Sequence, residues 1–100
     1  MQTYAILRRS AWASPEELEE AARRSAQVGN EEMPDRVRWI RSYALAEEDG
    51  SVGTVCIYQA ESPEAIREHS SRVPMPADEI IPIADTVIVR DDPAPEAARS

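Results

Sequence analysis

Phenylalanine is absent from this chain of 100 residues, and two tryptophans and three tyrosines are all the aromatic surface it has. The core must therefore rest on Val, Ile, Leu and Ala together with the two Trp, a thin supply for one domain of this length. A partner that covers more apolar surface would compensate, so a homodimer is expected. A single cysteine, Cys56, excludes an internal disulfide and suits a reducing compartment. No apolar run is long enough to span a bilayer, and no apolar segment of the secretory kind lies near Met1. The expected location is cytoplasmic. Basic residues are outnumbered 11 to 19, for a formal net charge of −8. That balance argues against nucleic acid and against an anionic membrane surface as partners, since both need basic patches. A phosphate loop, a dinucleotide fingerprint and a nucleophile elbow are also missing.

What is present is organised around Thr54–His69, TVCIYQAESPEAIREH, which holds the only cysteine and the only histidine. Thr54, Val55, Ile57 and Tyr58 favour a pleated strand. Alternation sets Val55 and Ile57 on one face and Thr54, Cys56 and Tyr58 on the other. Both faces are partly apolar, so a central strand covered on both sides is expected. Ser62 then stands at an N-cap with Pro63 and Glu64 behind it. The helix should run to about Val73, ahead of Pro74, with His69 bordering an apolar stripe of Ala65, Ile66 and Val73.

The rest of the chain repeats this logic. Thr3–Arg8 reads as a first strand. Ser14, Pro15 and Glu17 form a capping box, and the helix that follows presents Leu18, Ala21, Ala22, Ser25 and Val28 on one face. Gly29-Asn30 is its expected stop. Val37–Ala46 reads as a strand with Val37, Trp39, Arg41, Tyr43 and Leu45 sharing a face. Asp49-Gly50 signals a hairpin into the central strand. Ile80–Val89 reads as a last strand, at an edge or bulged because of Pro82. The domain spans 1–90, and 91–100, rich in proline, alanine and charge, is expected to be a flexible tail. The order strand, helix, strand, strand, helix, strand is an α+β, ferredoxin-like split βαβ (βαββαβ): a four-stranded antiparallel sheet with both helices on one face. Trp39, Tyr43, Cys56 and Tyr58 are candidates for the other, open face, a natural dimer or ligand surface.

The segments VRWIRSY (37–43), VCIYQA (55–60), SPEAIREH (62–69), PADEI (76–80) and TVI (86–88), with AARRSA (21–26), resemble a family of small bacterial proteins of unknown function that includes a nickel-binding protein. The resemblance covers most of residues 3–89. It implies a ferredoxin-like homodimer and binding of nickel or another divalent transition metal. In the family pattern a histidine stands where this chain has Arg41, and a glutamate where it has Gln59. Arginine cannot coordinate a cation and glutamine is a poorer ligand than a carboxylate. Cys56, Tyr58 and His69 are retained.

Cys56 and His69 are accordingly the candidate metal ligands, since sulfur and imidazole suit nickel or zinc. Two donors are too few, so Glu61, Tyr43, water or a second subunit would complete the set. The structural alternative is a buried small hydrophobe at Cys56 and a hydrogen-bonded helix histidine at His69. A different function is a small enzyme of the cyclase, isomerase or monooxygenase type. Its organic-substrate pocket would lie between helices and sheet, with His69 as acid or base, Arg41 on a carboxylate or enolate oxygen, and Tyr58 and Tyr43 in the wall.

Overall fold

The computed structural model describes residues 1–93. Strands β1 (Gln2–Trp12), β2 (Val37–Ala46), β3 (Val52–Ala60) and β4 (Glu79–Pro82) are interleaved with helices α1 (Pro15–Gln27) and α2 (Pro63–Arg72) in the order β1-α1-β2-β3-α2-β4. The sheet runs β2-β3-β1-β4 with every neighbouring pair antiparallel, which is the expected ferredoxin-like arrangement. Both helices start as their cap residues require. Ser14 Oγ accepts the Glu17 N–H at 3.3 Å and Ser62 Oγ the Ala65 N–H at 3.2 Å, each with proline next in the chain.

The end of α1 differs from the expected glycine stop. The chain passes into a π-type turn over Val28–Glu32, closed by the Met33 N–H on the Val28 carbonyl at 3.0 Å. The wider turn buries Val28 and Met33, so packing overrides the local Gly29-Asn30 signal.

Strand β3 is interior to the sheet, but only one of its faces is fully covered. Thr54, Cys56, Tyr58 and Ala60 are buried on the helix side, whereas Val55, Ile57 and Gln59 are half-buried. The strict alternation expected for β2 fails at Ile40. Trp39 pairs with Tyr58 but Arg41 pairs with Ile57, leaving Ile40 as the extra residue of a bulge. Before the bulge Val37 and Trp39 share the helix side; after it Ser42 and Ala44 do, and Arg41, Tyr43 and Leu45 turn to the open face. Of the four candidates for that face, only Tyr43 lies there. Cys56 and Tyr58 face the helices, and the bulge keeps Trp39 beside them.

A second bulge interrupts β1 between Arg8 and Trp12, where Ser10 takes a φ of 48°. It returns Trp12 to the helix side. Opposite it, a Cβ on Gly53 would sit 2.5 Å from Glu47 Oε2 and 2.6 Å from the Arg8 carbonyl oxygen, so only glycine permits this approach.

The last strand is shorter than expected. Its ladder covers Glu79–Pro82 at the sheet edge, where a proline is tolerated. Thr86–Val89 belongs to no strand, and Val87, Ile88 and Val89 are 84%, 77% and 80% exposed. Of the expected tail, residues 91–93 are irregular, and 94–100 lie outside the described residues. The core sits between helices and sheet, centred on Ile6, Tyr58, Ala60, Ala65 and Ile66.

Candidate functional site

Alternation along β1 and β3 delivers an unusual set of polar groups to that core. Tyr4, Ile6 and Arg8 of β1 pair with Tyr58, Cys56 and Thr54 of β3, all on the helix side. Tyr58 is the hub. Its hydroxyl lies 2.9 Å from Ser25 Oγ of α1. His69 of α2 meets its ring edge-on at 5.4 Å between centroids, Trp39 lies nearly parallel at 6.1 Å, and the Arg8 guanidinium carbon is 5.9 Å from the ring centre. Ser25 serves twice, because its carbonyl, which also accepts the Val28 N–H at the end of α1, lies 3.0 Å from His69 Nε2. A carbonyl can only accept, so Nε2 carries the proton and Nδ1 of the neutral ring holds a lone pair.

Burial lowers the His69 pKa, against a smaller upward pull from the Ser25 carbonyl, so the ring is neutral at pH 7. Burial likewise pushes the Tyr58 phenol up to about 12, with Ser25 and Arg8 pulling weakly the other way. Both groups are thus held in their uncharged forms.

Arg8 is the exception. It is 0% exposed, and its Nη2 donates to Ser70 Oγ at 2.9 Å. Among the described residues no carboxylate pairs with it, and Nε and Nη1 have no partner; His69 Nδ1 is the other buried orphan. Burying an unpaired cation costs several kcal/mol, roughly, so Arg8 stands in the core at a cost in stability.

Beside this cluster a cavity of about 170 Å³ opens between α1 and the sheet. Trp12, Leu18, Trp39, Cys56, Tyr58 and Met75 form its wall, and the small side chains of Ala21, Ala22 and Ala44 leave the space. An engineered cavity of similar size, about 150 Å³, is known to hold benzene.

The sequence-derived candidates are only partly brought together. Cys56 and His69 share the helix side, but Cys56 Sγ turns to Thr54 Oγ1 at 3.3 Å and His69 Nε2 to Ser25. Arg41 is on the open face, where it pairs with Asp92 at 3.1 Å, away from Tyr58 and His69. Tyr43 joins Asp92 there at 2.9 Å, and Glu61 pairs with Arg36 at 2.6 Å. Neither stands ready to complete a ligand set with Cys56. Among the described residues no three His, Cys, Asp or Glu side chains cluster as a metal site would need, and the unpaired Arg8 charge opposes a divalent ion. The interior residues do not fit nickel. The residue that sequence reasoning missed is Arg8. Its signal was available, since it follows Tyr4 and Ile6 at a spacing of two.

A family model described as "Nickel responsive protein SCO4226-like" matches residues 4–83 of the chain. The crystal structure of SCO4226 from Streptomyces coelicolor A3(2) superposes with a TM-score of 0.68 at 19% identity, covering 85% of this chain and 99% of that one. No curated protein matches the chain in sequence.

Proposed function

The chain belongs to the SCO4226-like family of nickel responsive proteins, and within that family we propose that it is a small ligand-binding protein whose site is the cavity between α1 and the sheet. The observation that carries this reading is the cavity itself: about 170 Å³, walled by Trp39, Tyr58 and other large apolar groups, and left open by alanines. A ligand with one flat ring fits. Binding rather than acid–base catalysis is favoured because His69, the one imidazole of the chain, commits Nε2 to the Ser25 carbonyl and does not line the cavity. Small aromatic probes titrated against the intrinsic fluorescence of Trp12 and Trp39 test it. Binding that disappears in Ala22→Leu, which fills the space, supports the cavity; binding that survives places the ligand elsewhere.

Nickel binding is the second reading, and the family description favours it. On this reading the sequence-derived ligands are Cys56 and His69, against the geometry of the buried cluster, and donors beyond it would have to complete the set. Native mass spectrometry with added nickel tests it against a Cys56→Ala, His69→Ala double variant. Equal uptake by both proteins would remove these two residues from the reading.

The reading includes a homodimer through the open face, in the cytoplasm. Tyr43 and Ile81 are 44% and 43% exposed there. The segment after β4 leaves that strand with the Ile83 N–H on the Thr3 carbonyl at 2.9 Å and reaches β2 at the other edge through Asp92. It holds Val87, Ile88 and Val89 out to solvent, as a second copy would require. Analytical ultracentrifugation should show a dimer that Ile88→Asp dissociates. For the compartment, the support is the single cysteine; no helix among the described residues is long and apolar enough to cross a membrane.

A further inference from the structure

We infer that the cavity takes an uncharged ligand, a mostly hydrocarbon ring, and turns away acids and amines of the same size. This rests on the cavity reading and gives it a ligand class. Among the described residues, no Asp, Glu, Lys, Arg or His lines the space. A carboxylate entering it would leave water and meet no cation, and an ammonium would meet no carboxylate. A charge stripped of its water without a counter-charge suffers a desolvation penalty that the burial of one ring does not offset.

The hydroxyls and the thiol of the wall are engaged with other wall residues. Tyr58 Oη and Ser25 Oγ are 2.9 Å apart, the Trp39 Nε1–H donates to Ser42 Oγ at 2.7 Å, and the Cys56 thiol donates to Thr54 Oγ1 at 3.3 Å. All six residues line the cavity, so the three pairs lie along its surface. Groups paired in this way need nothing from a ligand, and a hydrocarbon ring leaves none of them newly stranded. The one large charge nearby stands behind the wall. The Arg8 guanidinium is 5.9 Å from the centre of the Tyr58 ring, donates to Ser70 and does not line the space, so it offers a ligand there no hydrogen bond. His69 is likewise outside the wall. The volume, about 170 Å³, suits a single ring, and a space lined in this way receives apolar guests in preference to water.

The experiment titrates toluene, benzoate, benzylamine and acetophenone at pH 7 against the full chain by calorimetry and tryptophan fluorescence, in wild type, Ser25→Ala and Ala22→Leu. Toluene is expected to bind the wild type at least about 100-fold more tightly than benzoate or benzylamine. Ser25→Ala keeps the backbone carbonyl that meets His69 but frees the buried Tyr58 hydroxyl to donate to a ketone oxygen. Affinity for acetophenone relative to toluene should then rise by about 3- to 10-fold. Toluene binding should vanish in Ala22→Leu. Benzoate or benzylamine matching toluene in the wild type, or an acetophenone preference that Ser25→Ala leaves unmoved, overturns the inference, and the cavity reading stands where Ala22→Leu still abolishes binding. The wild-type comparison decides the matter even if Ser25→Ala folds poorly. No binding of toluene, or binding that Ala22→Leu leaves intact, overturns both.

Discussion

Replacing Arg8 by methionine should stabilise the ligand-free protein. The guanidinium is 0% exposed, and one of its nitrogens has a partner, Ser70 at 2.9 Å. A charged hydrogen bond of this kind contributes about 1.5–3 kcal/mol. The contact over Tyr58, at 5.9 Å from the ring centre, lies near the outer limit and adds at most about 1 kcal/mol. Against these stand two unpaired donors at about 1–3 kcal/mol each and a desolvation cost of several kcal/mol, roughly, for the ion. The balance is unfavourable, and methionine keeps the stem's apolar packing while removing the charge. Buried ions replaced by apolar side chains of similar size give gains of about 1–4 kcal/mol. Less about 1 kcal/mol for the deserted Ser70 hydroxyl, about 0–3 kcal/mol remains, which raises the melting point by up to about 15 °C for a domain of this length. Differential scanning calorimetry in a carboxylate-free buffer reads it directly. A melting point that falls by 10 °C or so in Arg8→Met would refute the reasoning, since it would mean that the cation is satisfied where it stands.

His69 gives a pH signature. Its folded pKa lies below the unfolded value of 6.5, so its contribution to stability is complete above that value and drains away as pH falls through it. Urea unfolding at pH 7.5 and pH 5 should show the wild type losing more stability than His69→Gln, and equal losses would count against a buried neutral ring. Gly53→Ala should cost about 1–3 kcal/mol in the same assay, because the Arg8 carbonyl at 2.6 Å is backbone and cannot swing aside. Ile66→Ala, on the buried face of α2, should cost about 2–5 kcal/mol; a loss below 1 kcal/mol would mean that the helix packs less tightly on the sheet than its burial implies. Tyr58→Phe should leave apolar ligands bound but expose the loss of the Ser25 hydrogen bond as about 1 kcal/mol of stability.

The element order, both N-caps and the antiparallel hairpin are legible because each rests on local chemistry. Ser14-Pro15 and Ser62-Pro63 start helices wherever they stand, and Asp49-Gly50 turns a chain in any context. The faces of β2 are a different matter. A bulge at Ile40 has no signature in VRWIRSYALA, since one extra residue is tolerated or refused by the partner strand and not by the strand itself. That one residue moved Trp39 off the open face and parted Arg41 from Tyr58 and His69. The overlong last strand has the same root. TVIV has every property of a strand except an edge to pair with, and pairing is not a local property. Arg8 failed for the opposite reason. The alternation from Tyr4 through Ile6 to Arg8 did place it inward, but an arginine ending an apolar run reads by residue type as a solvated boundary.

These displacements bear on what the site selects. The family description names a cation, and a cation site needs convergent lone pairs with no competing positive charge. In this chain the lone pair on His69 Nδ1 is present, but Arg8 is buried in the same layer with two donors unspent. Position 41 carries a second arginine, already paired with Asp92 on the far side of the sheet. Each arginine by itself is compatible with a metal elsewhere. Because position 41 lies on the far side of the sheet, the unspent donors of the buried cluster are those of Arg8 alone. A response to nickel in this chain would have to run through groups outside that cluster.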